Sequence, residues 1–356
     1  MNYIDKINHF LTPAQFRSPL ILDLFAGCGG LSLGFEAQGF ATHGFEMDSD
    51  SCGTYNKNLK GECTQTVLTN ETELPFGFRH LLQRREPPQR SGLPSCDVLI
   101  GGVPCQPFSV GGKQKGLQDS RNGFPIFINA VKNLNPKIWL FENVRGLLYR
   151  NKWYFDEIIQ ALQKLDYIVE YKLLNAVNFG VPQNRERLIV IGHQGKFKFP
   201  HVLEKRINSG EALEELAFLA PPESRFLTPS MDQYVAKYEK ASACKNPRDL
   251  NLNKPARTLT CRNLAGATGD MHRIKLPDGR RRRLLLREAA RLQSFPDWFE
   301  FVGTTTSCFN QIGNAVSPLF AFHLAGSVRE YLKSDCRLSS KEIEQHQPPI
   351  QLSLPF

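Results

Sequence analysis

The sequence predicts an α/β fold with a doubly wound, mostly parallel sheet, joined to a smaller irregular domain. Three observations support this prediction. Short apolar runs alternate with amphipathic segments from residue 19 to about residue 192, a pattern typical of parallel sheets covered by helices. Prolines interrupt this pattern up to about residue 270, and regular apolar spacing returns at Leu284. We therefore expect three segments, at residues 1–192, 193–303 and 304–356, of which the last is helical and returns to the first.

Six apolar runs are candidate strands. They cover residues 19–25, 41–47, 97–101, 137–141, 168–174 and 187–192. The segment between the fourth and fifth runs has apolar side chains at helical spacing, which indicates an ordinary core-facing helix. Another helix is expected at residues 315–332.

Composition restricts the class of protein and suggests a partner. The 356 residues include 44 Lys or Arg and 35 Asp or Glu, a net charge of +9, and this excess suggests a polyanionic partner. Residues 271–291 contain much of the excess, although a basic run is also compatible with a solvated surface. No secretory or membrane-spanning segment is evident, so we expect a cytoplasmic protein. The nine cysteines lack metal-ligand spacing, which argues against a disulfide framework and a metal site.

A glycine-rich turn after the first strand is a candidate nucleotide site. Gly27 and Gly29 follow the strand, and Glu46 ends the next strand, where a carboxylate can bind ribose hydroxyls. Ser32 stands where a dinucleotide fingerprint needs its third glycine, which weakens an NAD hypothesis. Asp23 would repel phosphates and suits a cationic nucleotide such as S-adenosylmethionine. A glycine-rich turn without a ligand is the alternative.

Chemically reactive side chains follow later strands. Cys105 lies between Pro104 and Pro107 after the third strand, where open α/β sheets place their chemistry. Glu142 ends the fourth strand, and residues 183–187 place two arginines at the start of the last one. A thiol, a carboxyl group and guanidinium groups around one crevice suit attack on an electron-poor ring whose heteroatoms are hydrogen-bonded.

Six blocks in this order resemble the DNA cytosine-5 methyltransferases of bacterial restriction–modification systems. The blocks are Asp23-Leu-Phe-Ala-Gly-Cys-Gly-Gly30, Pro104-Cys105-Gln106, Glu142-Asn143-Val144, Gln183-Asn-Arg-Glu-Arg187, residues 287–296 and Gln311-Ile-Gly-Asn-Ala-Val316. The resemblance covers nearly the whole chain. It implies the S-adenosylmethionine-dependent methyltransferase fold, with a catalytic and cofactor-binding domain at 1–192 and a target-recognition domain with its supporting segment at 193–303.

The resemblance also implies a role for each matching residue. The catalytic residues would be Cys105, Glu142, Arg185 and Arg187, with Cys105 adding to carbon 6 of a flipped cytosine. S-adenosylmethionine would be bound by Asp23, Phe25, Gly27, Gly29, Glu46, Met47, Pro104 and Asn314. The basic residues and their loops predict DNA contacts from Ser109, Lys113, Arg121, Arg280, Arg281, Arg282 and Arg283. No Asp lies in residues 64–69, where the family usually contacts the adenine amine.

Two other functions compete with this interpretation. An RNA cytosine methyltransferase of the same fold is one alternative, although the substantial domain before Arg287 favours duplex DNA. A non-catalytic DNA-binding module is the other, and the complete set of Cys105, Glu142 and Arg187 argues against it. The expected partners are double-stranded DNA and a restriction endonuclease that acts on the same site without a stable complex. We expect a monomer that does not bind membranes and works at the nucleoid.

Overall fold

The computed structural model describes residues 1–14, 19–69, 72, 96–104, 122–241, 249–266, 270–334 and 338–348. Its strands are β1 (Leu20–Leu24), β2 (Ala41–Glu46), β3 (Glu62–Gln65), β4 (Val98–Gly101), β5 (Ile138–Val144), β6 (Ile168–Asn175), β7 (Glu186–His193), β8 (Arg273–Lys275) and β9 (Arg281–Arg283). None of the helices in these residues is both long and apolar enough to cross a membrane.

Helices make up most of the remaining regular structure. The α-helices are α1 (Tyr3–Phe10), α2 (Gly30–Ala37), α3 (Ser49–Asn58), α4 (Phe124–Leu134), α5 (Gly146–Tyr149), α6 (Lys152–Gln163), α7 (Ser209–Leu213), α8 (Pro229–Ala241), α9 (Cys261–Leu264), α10 (Leu286–Leu292), α11 (Thr305–Asn314), α12 (Pro318–Lys333) and α13 (Ser340–His346). Two short 3₁₀ helices cover Ala176–Phe179 and Glu214–Phe218.

The main sheet has seven strands in the order β3-β2-β1-β4-β5-β7-β6. Pairing is parallel from β3 through β5, and β7 runs antiparallel to both of its neighbours. The predicted mostly parallel α/β sheet is confirmed, with all six predicted strands present to within a few residues. Strand β3 was not predicted, and α13 follows the helix expected at residues 315–332.

Successive residues of a strand point to opposite faces of the sheet. Apolar strand residues therefore lie on both faces, and helices cover each face. On one face, Ile21 and Leu140 belong to the cluster that contains Leu324 of α12. On the other face, Leu22 and Phe141 belong to the cluster of α4 and α6. The sheet is therefore the middle of three layers, and its strand ends are left as the accessible edges.

Helix α12 packs closely on α2, although the two helices are far apart in the sequence. A Cβ atom on Gly34 of α2 would lie 2.4 Å from the backbone nitrogen of Phe322 and 2.5 Å from the carbonyl carbon of Ala321. Only glycine permits the two helix backbones to approach this closely. The last part of the chain thus completes a layer that begins with the first glycine-rich turn.

A two-stranded antiparallel ribbon of β8 and β9 lies outside the main sheet. Helix α8 is joined to this ribbon by two ion pairs, Arg281 to Asp232 at 3.2 Å and Arg273 to Glu239 at 2.7 Å. A separate small apolar cluster of Leu227, Val235 and Met271 lies in the same region. The ribbon and α8 therefore lie beside this small cluster, while Ile274 of β8 belongs to the main apolar cluster.

Candidate active site

The topology brings the predicted site residues to one edge of the main sheet. Strands β1, β2, β4 and β5 are parallel, so their carboxyl ends share that edge. Strand β7 is antiparallel to β5, and Val144 at the end of β5 pairs with Arg187 near the start of β7. The glycine-rich turn, Glu46, Pro104 and Glu142 therefore lie at the same edge as Arg187.

Glu142 and Arg187 form a nearly buried ion pair at this edge. Arg187 Nε lies 2.6 Å from Glu142 Oε1, and each side chain is 11% exposed. Arg187 Nη1 also donates to the carbonyl of Glu186 at 2.8 Å. Burial lowers the pKa of Arg187, and the adjacent Glu142 carboxylate opposes that shift. The pair holds a carboxyl group and a guanidinium group in fixed orientation beside one another.

Asn143 connects the end of β5 to the loop that leads toward Cys105. Its Nδ2 donates to the carbonyl of Val103 at 2.9 Å, and its Oδ1 accepts from the backbone nitrogen of Val144 at 2.8 Å. Gly123 packs against the same loop, because a Cβ there would lie 2.7 Å from Pro104 Cδ and 2.9 Å from Phe25 Cζ. Pro104 and Phe25, both predicted cofactor contacts, are thus brought together.

Four predicted residues lie outside the described part of the chain. They are Cys105, Ser109, Lys113 and Arg121. The structure describes the chain up to Pro104 and again from Asn122. Their roles stay predictions.

The glycine-rich turn is held by the carboxylate of Glu46. Glu46 Oε2 accepts from Gly27 N at 2.9 Å, while Oε1 accepts from the backbone nitrogens of Met47 and Asp48, each at 2.9 Å. Gly27 and Gly29 have φ angles of +55° and +86°, which favour glycine. A Cβ on Gly29 would lie 2.8 Å from the Tyr55 ring, so the backbone there packs tightly on α3.

The turn leaves space that suits a ligand. A Cβ on Gly27 would meet no atom within 4 Å, and the side chain of Met47 is 64% exposed beside it. The Glu46 carboxylate beside this space can accept hydrogen bonds from the ribose hydroxyls of S-adenosylmethionine. The residues present therefore fit this cofactor.

Asp23 differs from its predicted role as a direct cofactor contact. Its side chain is fully buried beneath the turn, where Oδ2 accepts a hydrogen bond from Ser32 Oγ at 2.6 Å. Burial raises the pKa of Asp23 to about 7, with a further increase from Glu46 and an opposing effect of the Ser32 hydrogen bond. The Asp23 carboxyl group supports the turn from below instead of lining its surface.

Arg185 also differs from its predicted catalytic role. It is 2% exposed, and its guanidinium donates to the carbonyls of Leu259 at 2.7 Å, Gly313 at 3.1 Å and Ala315 at 2.9 Å. These three bonds occupy the terminal nitrogens. Arg185 is therefore a positioning residue that holds two distant backbone segments against the start of β7.

Two glutamines complete this buried junction. Gln183 Oε1 accepts from Leu259 N at 2.8 Å, and its Nε2 donates to Gln293 Oε1 at 2.5 Å. Gln293 in turn donates to the carbonyl of Ala315 at 2.8 Å. Gln183 stands inside a block recognised from the sequence, but its partners lie far along the chain, so only the fold could identify its role.

Asn314, a predicted cofactor contact, lies beside this junction. Its Oδ1 accepts a hydrogen bond from Cys261 Sγ at 2.9 Å. Cys261 was not singled out from the sequence, whereas Cys28, Cys52 and Cys308 are buried as expected for structural thiols.

The four consecutive arginines have different surroundings. Arg282 is fully buried and pairs with fully buried Glu288 at 2.7 Å, so the prediction that it contacts DNA is corrected. Arg281 forms ion pairs with Asp232 and Asp249. Alternation along β9 explains the difference, since one face of the strand turns inward.

The two outer arginines of this run are more exposed. The side chain of Arg280 is 58% exposed, pairs with Asp278 and lies 4.4 Å above the Phe226 ring. Arg283 is half-buried, and burial, together with the neighbouring Arg225, lowers its pKa. Direct DNA contacts by Arg280 and Arg283 stay predictions.

Known proteins share both the sequence pattern and this fold. The family model described as C-5 cytosine-specific DNA methylase matches residues 20–221 and 227–330. The chain is 51% identical over 347 residues to type II methyltransferase M.AplI of Arthrospira platensis, covering 96% of this chain and 94% of that protein. It is 32% identical over 347 residues to type II methyltransferase M.NgoFVII of Neisseria gonorrhoeae, covering 88% and 87% of the two chains.

Solved structures show the same fold at lower identity. The methyltransferase EhMeth of Entamoeba histolytica superposes with a TM-score of 0.66 at 17% identity, covering 89% of this chain and 100% of that one. A mutant of Spodoptera frugiperda DNMT2 superposes with a TM-score of 0.62 at 17% identity, covering 89% and 99%. From the match over most of its length, the chain belongs to the C-5 cytosine-specific DNA methylase family.

Proposed function

We propose that this protein methylates carbon 5 of a cytosine within a specific duplex DNA sequence, as the methyltransferase of a type II restriction–modification system. Family membership and the similarity to two proteins named type II methyltransferases support this function. The observation that carries the proposal within the structure is the buried pair of Glu142 and Arg187 at the carboxyl edge of the sheet.

Glu142 and Arg187 would bind the ring of the flipped cytosine. Glu142 would hydrogen-bond ring nitrogen 3 and the exocyclic amine of the base. In the described residues, Arg187 uses Nε for Glu142 and Nη1 for the carbonyl of Glu186. Its Nη2 is the group that we assign to the carbonyl oxygen of the base. Because both side chains are already oriented, they stabilise negative charge on the ring without reorganising.

Cys105 would supply the nucleophile at the adjoining loop. Its thiolate adds to carbon 6, and the electron pair of the 5,6 double bond becomes available at carbon 5. Bound S-adenosylmethionine supplies the electrophilic methyl group that carbon 5 takes. A base then removes the proton of carbon 5, the double bond re-forms, and the thiolate leaves carbon 6. This sequence returns Cys105 to its starting state.

The turn from Phe25 to Gly29 would hold the cofactor. Glu46 is at the position from which a carboxylate binds ribose hydroxyls, and its bonds to Gly27 and Met47 fix its orientation. Exposed Met47 would pack on the adenine face. Pro104 and Asn314 would complete the site. Asp23 acts indirectly, through the shape of the turn.

The biological setting follows from the same proposal. Residues 193–303 would read the duplex, and the enzyme would work as a monomer in the cytoplasm, at the nucleoid. Methylation would protect DNA from an endonuclease that cuts the same sequence, with no stable complex between the two proteins.

Bisulfite sequencing of DNA from cells that express the protein tests the function directly. We expect conversion-resistant cytosines at one position of one short sequence, and none in cells that express Cys105→Ser. A duplex with 5-fluorocytosine at the mapped position should trap the wild type covalently, since the carbon 5 proton is absent. Preferential methylation of tRNA, or full activity of the serine variant, would contradict the proposal.

A further inference from the structure

Arg262 is an exposed arginine in a region where the other arginines are mostly engaged. It lies in the short helix α9, and within the described residues its side chain makes no hydrogen bond or ion pair. By contrast, Arg257 pairs with Asp270, Arg273 pairs with Asp249, and Arg281 and Arg282 are also paired. Arg262 therefore has a guanidinium available to a ligand.

The backbone around Arg262 is well supported. Thr260 N donates to Asn263 Oδ1 at 2.8 Å, and Asn263 Nδ2 donates to the carbonyl of Thr258 at 2.9 Å. The Arg257–Asp270 ion pair, at 3.3 Å, joins the two ends of the surrounding segment. A side chain that projects from such a support loses little backbone freedom when it binds.

The same segment is attached directly to the catalytic edge. Thr258 Oγ1 donates to the carbonyl of Asn184 at 2.6 Å. Asn184 precedes Arg187 by three residues. Arg185 donates to the carbonyl of Leu259, and Cys261 donates to Asn314. Residues 258–261 directly precede Arg262. Three of these four residues contact Asn184, Arg185 or Asn314. These contacts place the segment that carries Arg262 next to Arg185 and Asn314.

We propose that Arg262 is a specificity-determining residue that reads a base edge of the DNA target, next to the cytosine to be methylated. A guanidinium matches the two acceptors, O6 and N7, that guanine presents in the major groove, so guanine is the base that we assign to it. The inference rests on the proposed function, because it needs duplex DNA at this edge. Arg262 lies outside the arginine run at 280–283.

The test compares Arg262→Gln and Arg262→Lys with a matched control, Arg329→Gln. Arg329 lies on α12 and donates to the carbonyl of Gln38, at the far end of α2 from the glycine-rich turn. Wild-type methylation of duplex DNA is measured first and separately decides the proposed function. Each variant is then assayed on the mapped target and on duplexes with single substitutions around the cytosine, at several salt concentrations.

We expect Arg262→Gln to lower kcat/KM on the target about 10–100-fold, and to lose the preference for one base at one position. Arg262→Lys should weaken the same preference, because an ammonium lacks the rigid planar fork of a guanidinium. The KM for S-adenosylmethionine and the thermal midpoint should stay near wild type, and Arg329→Gln should match wild type throughout. An unchanged sequence profile would overturn the inference. The inference would also be overturned if Arg262→Gln lost activity equally on all duplexes and Arg262→Lys restored it. That result indicates a phosphate contact.

Discussion

Replacing Arg282 by Met should lower the free energy of unfolding of the protein. It should not change the electrostatic attraction of the protein to DNA. Arg282 and Glu288 are both fully buried. Arg282 also donates to the carbonyls of Leu219 at 2.8 Å and Leu216 at 2.9 Å. The variant leaves the Glu288 carboxylate buried without its cation, and it leaves two carbonyls without their donor.

The size of the effect follows from that burial. Breaking a buried pair by removing one partner costs about 3–5 kcal/mol, since the remaining charge is uncompensated. That is a large share of the roughly 5–15 kcal/mol that stabilises a domain. Arg280→Met is the matched control, because its exposed pair with Asp278 should contribute little to stability. The double variant Arg282→Met/Glu288→Leu should recover most of the loss, because it leaves no buried charge.

Urea denaturation at low temperature measures these differences, and DNA binding is titrated against salt under conditions where each variant is folded. A phosphate contact would appear as a slope of log affinity against log salt reduced by about 0.9. Wild-type stability of Arg282→Met together with such a reduced slope would refute the argument from burial.

Three further changes test other parts of the molecule. Glu46→Ala should weaken S-adenosylmethionine binding by about 1.5–3 kcal/mol in calorimetry, because a hydrogen bond to a charged group is lost; unchanged affinity would remove Glu46 from the site. Asp23→Asn should change the pH dependence of urea stability: burial raises the pKa of Asp23 to about 7, so the wild type loses stability relative to the variant as pH rises from about 4 to about 7. Parallel pH profiles would show that Asp23 ionises normally. Exchange of residues 193–282 for those of a relative with another target should move the methylated site and keep Cys105-dependent activity, whereas methylation of the original site would place recognition elsewhere.

The sequence predicted the main sheet well because its strands are continuous apolar runs. Strand β3 was missed because its four residues, Glu62–Gln65, are largely polar and lie at the edge of the sheet. An edge strand makes backbone hydrogen bonds with one neighbour and needs little apolar character. Pattern alone does not distinguish such a strand from a loop.

Partners distant in sequence account for most differences at the site. Arg185 and Arg187 look equivalent in the sequence, yet one binds three carbonyls and the other pairs with Glu142. In the sequence, the run of arginines predicts a cationic surface. The sequence alone does not show that Arg281 pairs with Asp249 or that Arg282 pairs with Glu288. The residue types predicted that carboxyl and guanidinium groups lie at this edge of the sheet. Tertiary contacts determine which of these groups faces the ligand.

The close packing of α12 on α2 has a consequence for how the protein matures during synthesis. Gly30, at the start of α2, would place a Cβ 2.4 Å from the carbonyl oxygen of Val316, so the turn at the first strand is completed by residues near the end of the chain. Until the ribosome has released residues 315–333, the sheet lacks part of one covering layer. The nascent chain should therefore remain inactive until residues 315–333 have packed on α2.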